Sequence, residues 1–361
     1  MVLFTGGGTG GHVFPGLAVA HGVRDRTQAD IAWVGGTCGM ERSIVRHGSV
    51  AFYGIPTGKL RRYLSLRNLS DVFRVAAGVA RSVRLIRRLR PRVLFSKGGF
   101  VSVPPVVAAW LCGVPVVSHE SDSDPGLATR INARFSQRVL VPYESTRDYF
   151  PRNIRERVQV VGNPIRSDVL RGHRDAGLEA LGFSAADERP VVFFVGGSLG
   201  ARQINELVSL VRPRVESRWR IVHQTGAHAL DGRRDADYVS APFFAEELPN
   251  VLAAADMLVC RAGASTLWEA AALSRPMLLV PLSEGSRGDQ VRNAAVFEAA
   301  GGARAFTDPE RLAAEITDAL VYYADHPGER EEMGTRARTV VRLDATERIV
   351  DLIAAYMRGE E

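Results

Sequence analysis

The chain has 361 residues, 46% of them hydrophobic and 24% charged, with a net charge of +6. At roughly 150 residues per domain that length suggests two domains with real cores, and the composition excludes a disordered, collagen-like or multi-span membrane protein. Three cysteines, Cys38, Cys112 and Cys260, lie far apart. They neither staple a secreted scaffold nor make a CxxC metal site, so a reducing cytoplasm fits best.

Met1–Thr5 runs directly into glycines without a basic and then apolar leader pattern, so no secretory signal is expected. Val2–Thr5 reads as a buried strand, Gly6-Gly7-Gly8-Thr9-Gly10-Gly11-His12 as a turn, and Pro15–Val23 as a helix. Gly6-x-Gly8-x-x-Gly11 matches the dinucleotide fingerprint, which also wants an acid at the end of the second strand to hold ribose hydroxyls. Here Ile31–Val34 ends in Gly35-Gly36, so an NAD site lacks that contact. His12 is placed either to cap the helix or to take a proton near neutral pH beside amides that favour negative charge.

Between Lys59 and Arg92 eleven basic residues face one acid, Asp71. Ser70 is a candidate helix cap, and Val72, Val75, Val79, Val83 and Ile86 fall at helical spacing on one face. Such a helix is either an ordinary surface element with a solvated basic side or a docking surface for anionic lipid headgroups. Nucleic acid has no supporting module. Gly98–Ser118 carries no charge and approaches the length of a bilayer span, but Pro104, Pro105 and Pro115 divide it into a helix at Val106–Cys112 and a strand at Val116–Ser118. His119-Glu120-Ser121-Asp122 then ends that strand as a turn or a site, where Glu120 and Asp122 can orient sugar hydroxyls or a base.

After a short strand and the turn Val161-Gly162-Asn163-Pro164, the pattern starts again. Pro190–Val195 leads into Gly196-Gly197-Ser198-Leu199-Gly200-Ala201 and a helix at Gln203–Val211. Gly196-x-Ser198-x-Gly200 fits a phosphate-binding turn, and equally the nucleophile elbow of a serine hydrolase, for which Asp256 and His326 are the available partners. Met257–Cys260 leads into Arg261-Ala262-Gly263-Ala264-Ser265-Thr266-Leu267-Trp268-Glu269. Small residues and a helix N-terminus there suit a diphosphate, and Glu269 is either a ribose ligand or a capping-box acid. No metal-ligand spacing occurs near these loops. Asp344–Met357 reads as an amphipathic helix that can pack on either half. Short apolar strands alternating with helices indicate an α/β chain of two doubly wound, Rossmann-like domains, with the expected site at the carboxyl ends of the strands, in the cleft between the halves.

With these blocks in view, and with Lys97-Gly98-Gly99-Phe100-Val101-Ser102 and Asp289-Gln290-x-x-Asn293-Ala294 beside them, the chain resembles the MurG family of glycosyltransferases over nearly its whole length. The resemblance implies the glycosyltransferase B fold: residues 1–162 as an acceptor and membrane domain, 163–343 as a UDP-sugar domain, and a C-terminal helix at 344–361 returning to the first. It implies inverting transfer of N-acetylglucosamine from UDP-N-acetylglucosamine to the 4-hydroxyl of the N-acetylmuramyl group of lipid I, forming lipid II in peptidoglycan synthesis, without a cofactor. A related transferase with another lipid or natural-product acceptor, a Ser198 hydrolase and a non-catalytic UDP-sugar-binding protein are the alternatives. By resemblance, His12 is the base and Glu120 assists it. Thr9, Gly10, Gly11, Asp122, Arg166, Ser198, Gly263 to Trp268, Glu269, Asp289 and Gln290 meet substrate, and Phe244 and Ala245 hold uracil through their backbone. Membrane contact falls to Val72, Val75, Val79, Arg84, Arg87, Arg88 and Trp110, which places the protein on the cytoplasmic face of the plasma membrane and bound to anionic lipid, with no nucleic-acid partner. Three positions in two motifs depart from the family pattern: Ser121-Asp122 stands where Gln-Asn is usual, and Asp289 where a glutamine is usual.

Overall fold

A computed structural model describes residues 1–58, 66–197, 200–226, 232–282 and 288–360, with backbone alone at 66–70. The chain forms two compact units, Met1–Pro164 with Leu343–Glu361, and Ile165–Arg342. In the first unit the elements alternate as β1 (Val2–Thr5), α1 (Gly10–Thr27), β2 (Ile31–Gly36), α2 (Glu41–His47), β3 (Ala51–Ile55), α3 (Leu66–Leu89), β4 (Val93–Ser96), α4 (Val103–Leu111), β5 (Val116–His119), α5 (Leu127–Asn132), β6 (Arg138–Val141), α6 (Arg152–Arg155) and β7 (Val158–Val160). The second contains α7 (Arg174–Leu181), β8 (Val191–Val195), α8 (Arg202–Val215), β9 (Arg220–Gln224), β10 (Tyr238–Ala241), α9 (Leu248–Ala254), β11 (Met257–Cys260), α10 (Ala264–Ala272), β12 (Met277–Leu279), α11 (Asp289–Ala299), β13 (Ala303–Ala305), α12 (Leu312–Asp325) and α13 (Pro327–Val340). The last helix, α14 (Ala345–Arg358), belongs to the first unit.

All pairings between the named strands are parallel, and the sheet orders are β3-β2-β1-β4-β5-β6-β7 and β10-β9-β8-β11-β12-β13. Both are the doubly wound arrangement, in which the chain reverses direction across the sheet between its first and fourth strands. The reversal lies between β1 and β4 in one unit and between β8 and β11 in the other. Four of the motifs legible in the sequence follow those four strands: Gly6–His12 after β1, Lys97–Ser102 after β4, Gly196–Ala201 after β8 and Arg261–Glu269 after β11.

The strands are apolar because both faces are covered. Val2 and Phe4 pack with Trp33, Phe95 and α1 on one side, whereas Leu3 packs with Val34, Leu94 and Ile86 of α3 on the other. This is the two-residue alternation of a strand buried twice over. Ile349, Val350, Ile353 and Tyr356 of α14 complete the first face, and Arg26 pairs with Asp351 across the α1–α14 contact. In the second unit Val192 and Phe194 pack against Ile204, Leu207 and Val211 of α8 and against Ile316 and Leu320 of α12.

Two element boundaries differ from the sequence expectation. Helix α1 begins at Gly10 instead of near Pro15, which puts Gly10, Gly11 and His12 in its first turn. Helix α3 already contains Ser70, so that serine is not its cap; Leu66 and Leu69 continue the i, i+3 spacing past it. No described helix is long and apolar enough to cross a membrane.

Candidate active site

In the first unit the site is built on the turns after β1, β4 and β5. Thr9 adopts an extended conformation ahead of α1, and its Oγ1 lies 2.9 Å from His12 Nδ1. The half-buried His12 ring rests against the turn after β4: a Cβ placed on Gly99 would stand 3.4 Å from His12 Nδ1 but 2.1 Å from the Gly7 carbonyl oxygen. With φ of +77° as well, position 99 admits only glycine. Trp33 Nε1 donates to the Gly6 carbonyl at 3.0 Å and fixes the turn from below.

Sequence reasoning passed over Glu41. This acid, five residues beyond β2, is fully buried and accepts the Gly36 N–H at 2.8 Å and the Gly8 N–H at 3.3 Å. It therefore spends on the protein's own glycine turns the carboxylate that a dinucleotide site would turn toward ribose. The available signal was an acid soon after Gly35-Gly36, at a distance the fingerprint does not specify.

Glu120 is likewise buried. Its Oε1 accepts the N–H groups of Ser121 at 2.7 Å and Asp122 at 3.1 Å, and its Oε2 accepts that of Gly126 at 3.0 Å. It shapes the loop that presents the half-buried Asp122, so its part is positioning. His119 Nε2 lies 2.8 Å from the Gly162 carbonyl, and Asn163 Nδ2 donates to the Ser121 carbonyl at 2.9 Å. Burial, then the neighbouring Lys97 ammonium, hold His119 well below the usual imidazole range. It is neutral, and its Nε2–H donates to Gly162.

In the second unit Arg166 Nε donates to Glu269 Oε1 at 2.9 Å, with Asp168 within 3.9 Å of the same guanidinium. Burial pushes the Glu269 carboxyl up and Arg166 pulls it down. A capping-box acid would stand at the third helical position of α10, which Thr266 occupies, so Glu269 is not a cap. Gly263 opens α10, whose first turn is Ala264, Ser265 and Thr266, and a Cβ on Gly263 would meet nothing within 4 Å. The Leu267 and Trp268 side chains are buried in the core, and the Leu267 N–H bonds the Gly263 carbonyl at 3.1 Å.

Gln224, at the end of β9, was also missed. Its Nε2 donates to the Gly197 carbonyl at 3.1 Å and its Oε1 accepts the Phe244 N–H at 3.2 Å. The Phe244 amide is thus engaged within the protein, and Ala245 beside it is exposed. Gln290 Oε1 accepts the Leu282 N–H at 2.9 Å, Asp289 Oδ1 accepts the Gln290 N–H at 3.2 Å, and Asn293 donates to the Ala262 carbonyl at 3.2 Å. These bonds tie the start of α11 to the loops after β11 and β12. Ser198 lies outside the described residues. The hydrolase alternative fails on topology: Ser198 follows the carboxyl end of β8, whereas Asp256 precedes β11, pairs with Arg174 and accepts the Val191 N–H at the opposite end of the sheet. His326 is stacked on Tyr322 at the end of α12.

The chain matches the glycosyltransferase family 28 N-terminal domain at residues 2–141 and the family 28 C-terminal domain at residues 191–349. Over 313 residues it is 46% identical to a protein of Treponema pallidum (strain Nichols) named UDP-N-acetylglucosamine–N-acetylmuramyl-(pentapeptide) pyrophosphoryl-undecaprenol N-acetylglucosamine transferase, covering 84% of this chain and 81% of that one. The chain belongs to the MurG family. A Bacillus cereus (strain ATCC 10987) member named as transferase 2 is 43% identical over 83% of the chain and 84% of its own length. The crystal structure of Acinetobacter baumannii MurG superposes with a TM-score of 0.72 at 26% identity, covering 98% of each chain. The glycosyltransferase B architecture read from the sequence is thus that of a family 28 enzyme.

The surface expected to meet membrane is corrected in part. Val79, Val83 and Ile86 of α3 pack on the core of the first unit. Of the apolar residues expected there, Val72 (52%) near the start of α3 and Trp110 (52%) at the end of α4 are exposed and Val75 is half-buried, while Phe73 (68%) and Leu111 (56%), next to them in the chain, are exposed as well. Phe73 had no signal in the periodicity, because it lies off the core-facing stripe. Arg84, Arg87 and Arg88 are exposed; Lys59, Arg61 and Arg62 fall outside the described residues.

Proposed function

We propose that the protein transfers N-acetylglucosamine from UDP-N-acetylglucosamine to the 4-hydroxyl of the N-acetylmuramyl group of lipid I, with inversion, to give lipid II. The acceptor oxygen attacks the anomeric carbon, the bond from that carbon to the diphosphate oxygen breaks, and UDP leaves with the electron pair. His12 Nε2 takes the hydroxyl proton. That role requires the neutral ring with its hydrogen on Nδ1, and Thr9 Oγ1, 2.9 Å away, can accept that hydrogen. Charge developing on the diphosphate is met by the first-turn amides of α10, a preorganised arrangement. Glu269, oriented by Arg166, takes the ribose hydroxyls. Thr9, Gly10 and Gly11, with Asp122 on the loop that Glu120 holds, complete the substrate contacts in this reading, together with Asp289 and Gln290.

The observation that carries the reading is the repeated one: each unit places glycine-rich or small-residue turns after both strands at its topological switch point, where such sheets bind ligands. Incubation with labelled UDP-N-acetylglucosamine and a lipid I analogue tests it. A labelled disaccharide lipid is expected, and intact donor with unmodified acceptor refutes it.

We further propose peripheral attachment to the cytoplasmic face of the plasma membrane through Val72, Phe73, Trp110 and Leu111. Arg84, Arg87 and Arg88 add attraction to anionic headgroups. The support is the adjacency of α3 and α4, which gathers exposed apolar and basic side chains on packed helices.

A further inference from the structure

In the second sheet β9 lies between β8 and β10, and its last residue, Gln224, stands in register with Val195 at the end of β8 and with Ala241 at the end of β10. Strands β8 and β10 do not pair with each other, so no ladder hydrogen bond holds the turn after one against the segment after the other. Gln224 reaches both. It is 2% exposed, its Nε2 donates to the Gly197 carbonyl at 3.1 Å, and its Oε1 accepts the Phe244 N–H at 3.2 Å. The Gly197 carbonyl also accepts the Gly200 N–H at 3.1 Å, so the side chain grips the glycine turn at the bond that closes it. One buried group thus gives a hydrogen to one loop and takes one from the other, which a carboxylate or a methionine of the same length cannot do. The backbone beside it runs close to the same two loops. The Thr225 N–H bonds the Ala241 carbonyl at 2.9 Å, the Gly226 N–H bonds the Pro242 carbonyl at 3.0 Å, and a Cβ on Gly200 would come 2.5 Å from the Thr225 carbonyl oxygen. The Phe244 ring packs edge-on to Phe193 with centroids 5.9 Å apart. That contact keeps the segment after β10 on the core, and the Gln224 amide sets its register against the glycine turn.

We propose that Gln224 is a positioning residue for the donor nucleotide, whose buried amide fixes the spacing between the glycine turn that meets phosphate and the 242–245 segment that meets the base. The inference rests on the transferase reading above, with Phe244 and Ala245 at uracil and the turn after β8 at the diphosphate. A nucleoside diphosphate is held at two ends, and the two contacts reinforce each other only when the protein presents them at the ligand's own span. With Gln224 in place that span exists before the donor arrives. Without it each end still finds its loop, but part of the binding energy goes into bringing the two loops into register.

The test compares wild type, Gln224→Met and Gln224→Glu in the full chain, reading UDP affinity by calorimetry, inhibition by uridine alone, and KM and kcat for UDP-N-acetylglucosamine. Both variants keep the length of the side chain. Gln224→Met lacks both bonds, whereas Gln224→Glu keeps the acceptor for Phe244 and loses the donor to Gly197. UDP is expected to bind about 10- to 100-fold more weakly to each, with KM rising in step and kcat at saturating donor changing far less. Inhibition by uridine should stay within about threefold of wild type, because only the spacing between the loops is lost. UDP affinity within about twofold of wild type overturns the proposal, and so does an equal loss for UDP and uridine, which marks a general loosening of the unit. Wild type gives a reading that misfolding of a variant cannot spoil. The NMR resonances of the Gln224 side-chain amide should shift when uridine and pyrophosphate are added separately, and a response to only one of them, or to neither, overturns the proposal. Failure of the transferase reading shows itself differently: wild type then binds UDP without transferring sugar, and the affinities still decide the part played by Gln224.

Discussion

His12 and Thr9 form the smallest unit of the proposed chemistry. General-base assistance contributes about 10²- to 10⁴-fold, so His12→Ala is expected to lose rate on that scale while UDP-N-acetylglucosamine binding, measured by calorimetry, stays within a few-fold of wild type. Thr9→Val removes the hydroxyl that bonds His12 Nδ1 and should lower kcat in the same direction by less. At Gly99 the argument is steric. Alanine there would drive a methyl into the Gly7 carbonyl at a backbone angle that side chains resist, so Gly99→Ala should abolish turnover and lower the thermal midpoint. His223 gives a pH prediction with a definite sign. It is buried between Tyr238 Oη and Asn205 Oδ1, and burial pushes it down to about 4. The unfolded chain takes up its proton near 6.5 and the folded chain only near 4, so stability is lost as pH falls through that window, by about 3 kcal/mol. Denaturant unfolding at pH 7 and at pH 4.5 measures the loss, and His223→Gln should flatten the difference.

Among the elements, α3 and α4 answer to two demands. One side of α3 covers the sheet through Val79, Val83 and Ile86, and Arg74, Arg81, Arg84, Arg87 and Arg88 lie toward solvent. A basic residue near an anionic leaflet is worth about 1 kcal/mol, so charge reversal at Arg84, Arg87 and Arg88 should weaken partition onto vesicles containing phosphatidylglycerol at least 100-fold. Phe73→Ser with Trp110→Ser should weaken binding to neutral and anionic vesicles alike. Partition that stays at the wild-type level in both variants would place the membrane contact on another face. Amphipathic spacing announced the helix, but it could not separate the stripe facing the sheet from a stripe facing lipid, because both are apolar at the same period. Val72 and Val79 share that spacing and have opposite fates, Val72 exposed and Val79 packed.

At the scale of the molecule, the chain leaves its first unit after β7, builds the second, and returns at Leu343 so that α14 closes the face over β1 and β4. Removal of residues 343–361 is expected to expose Val2, Phe4 and Trp33 and to lower the melting transition of the first unit while sparing that of the second. Calorimetry of the truncated chain reads this directly. Within α14, Ile353 is fully buried, and Ile353→Ala should cost about 2–5 kcal/mol. The amino-acid order alone determined the architecture: short apolar runs alternating with helices bury themselves as parallel sheets covered on both faces. It also marked the turns after β1, β4, β8 and β11, since glycine and small residues are visible as letters. Only the folded chain decided the assignments among polar side chains. Glu41 and Gln224 carry no local signature because their partners are backbone groups. Glu269 could be told from a capping-box acid only once the start of α10 was fixed at Ala264, and the Phe244 N–H was seen to be bonded only with Gln224 beside it. Periodicity reports which face is apolar, whereas a hydrogen bond is a fact about two positions in space.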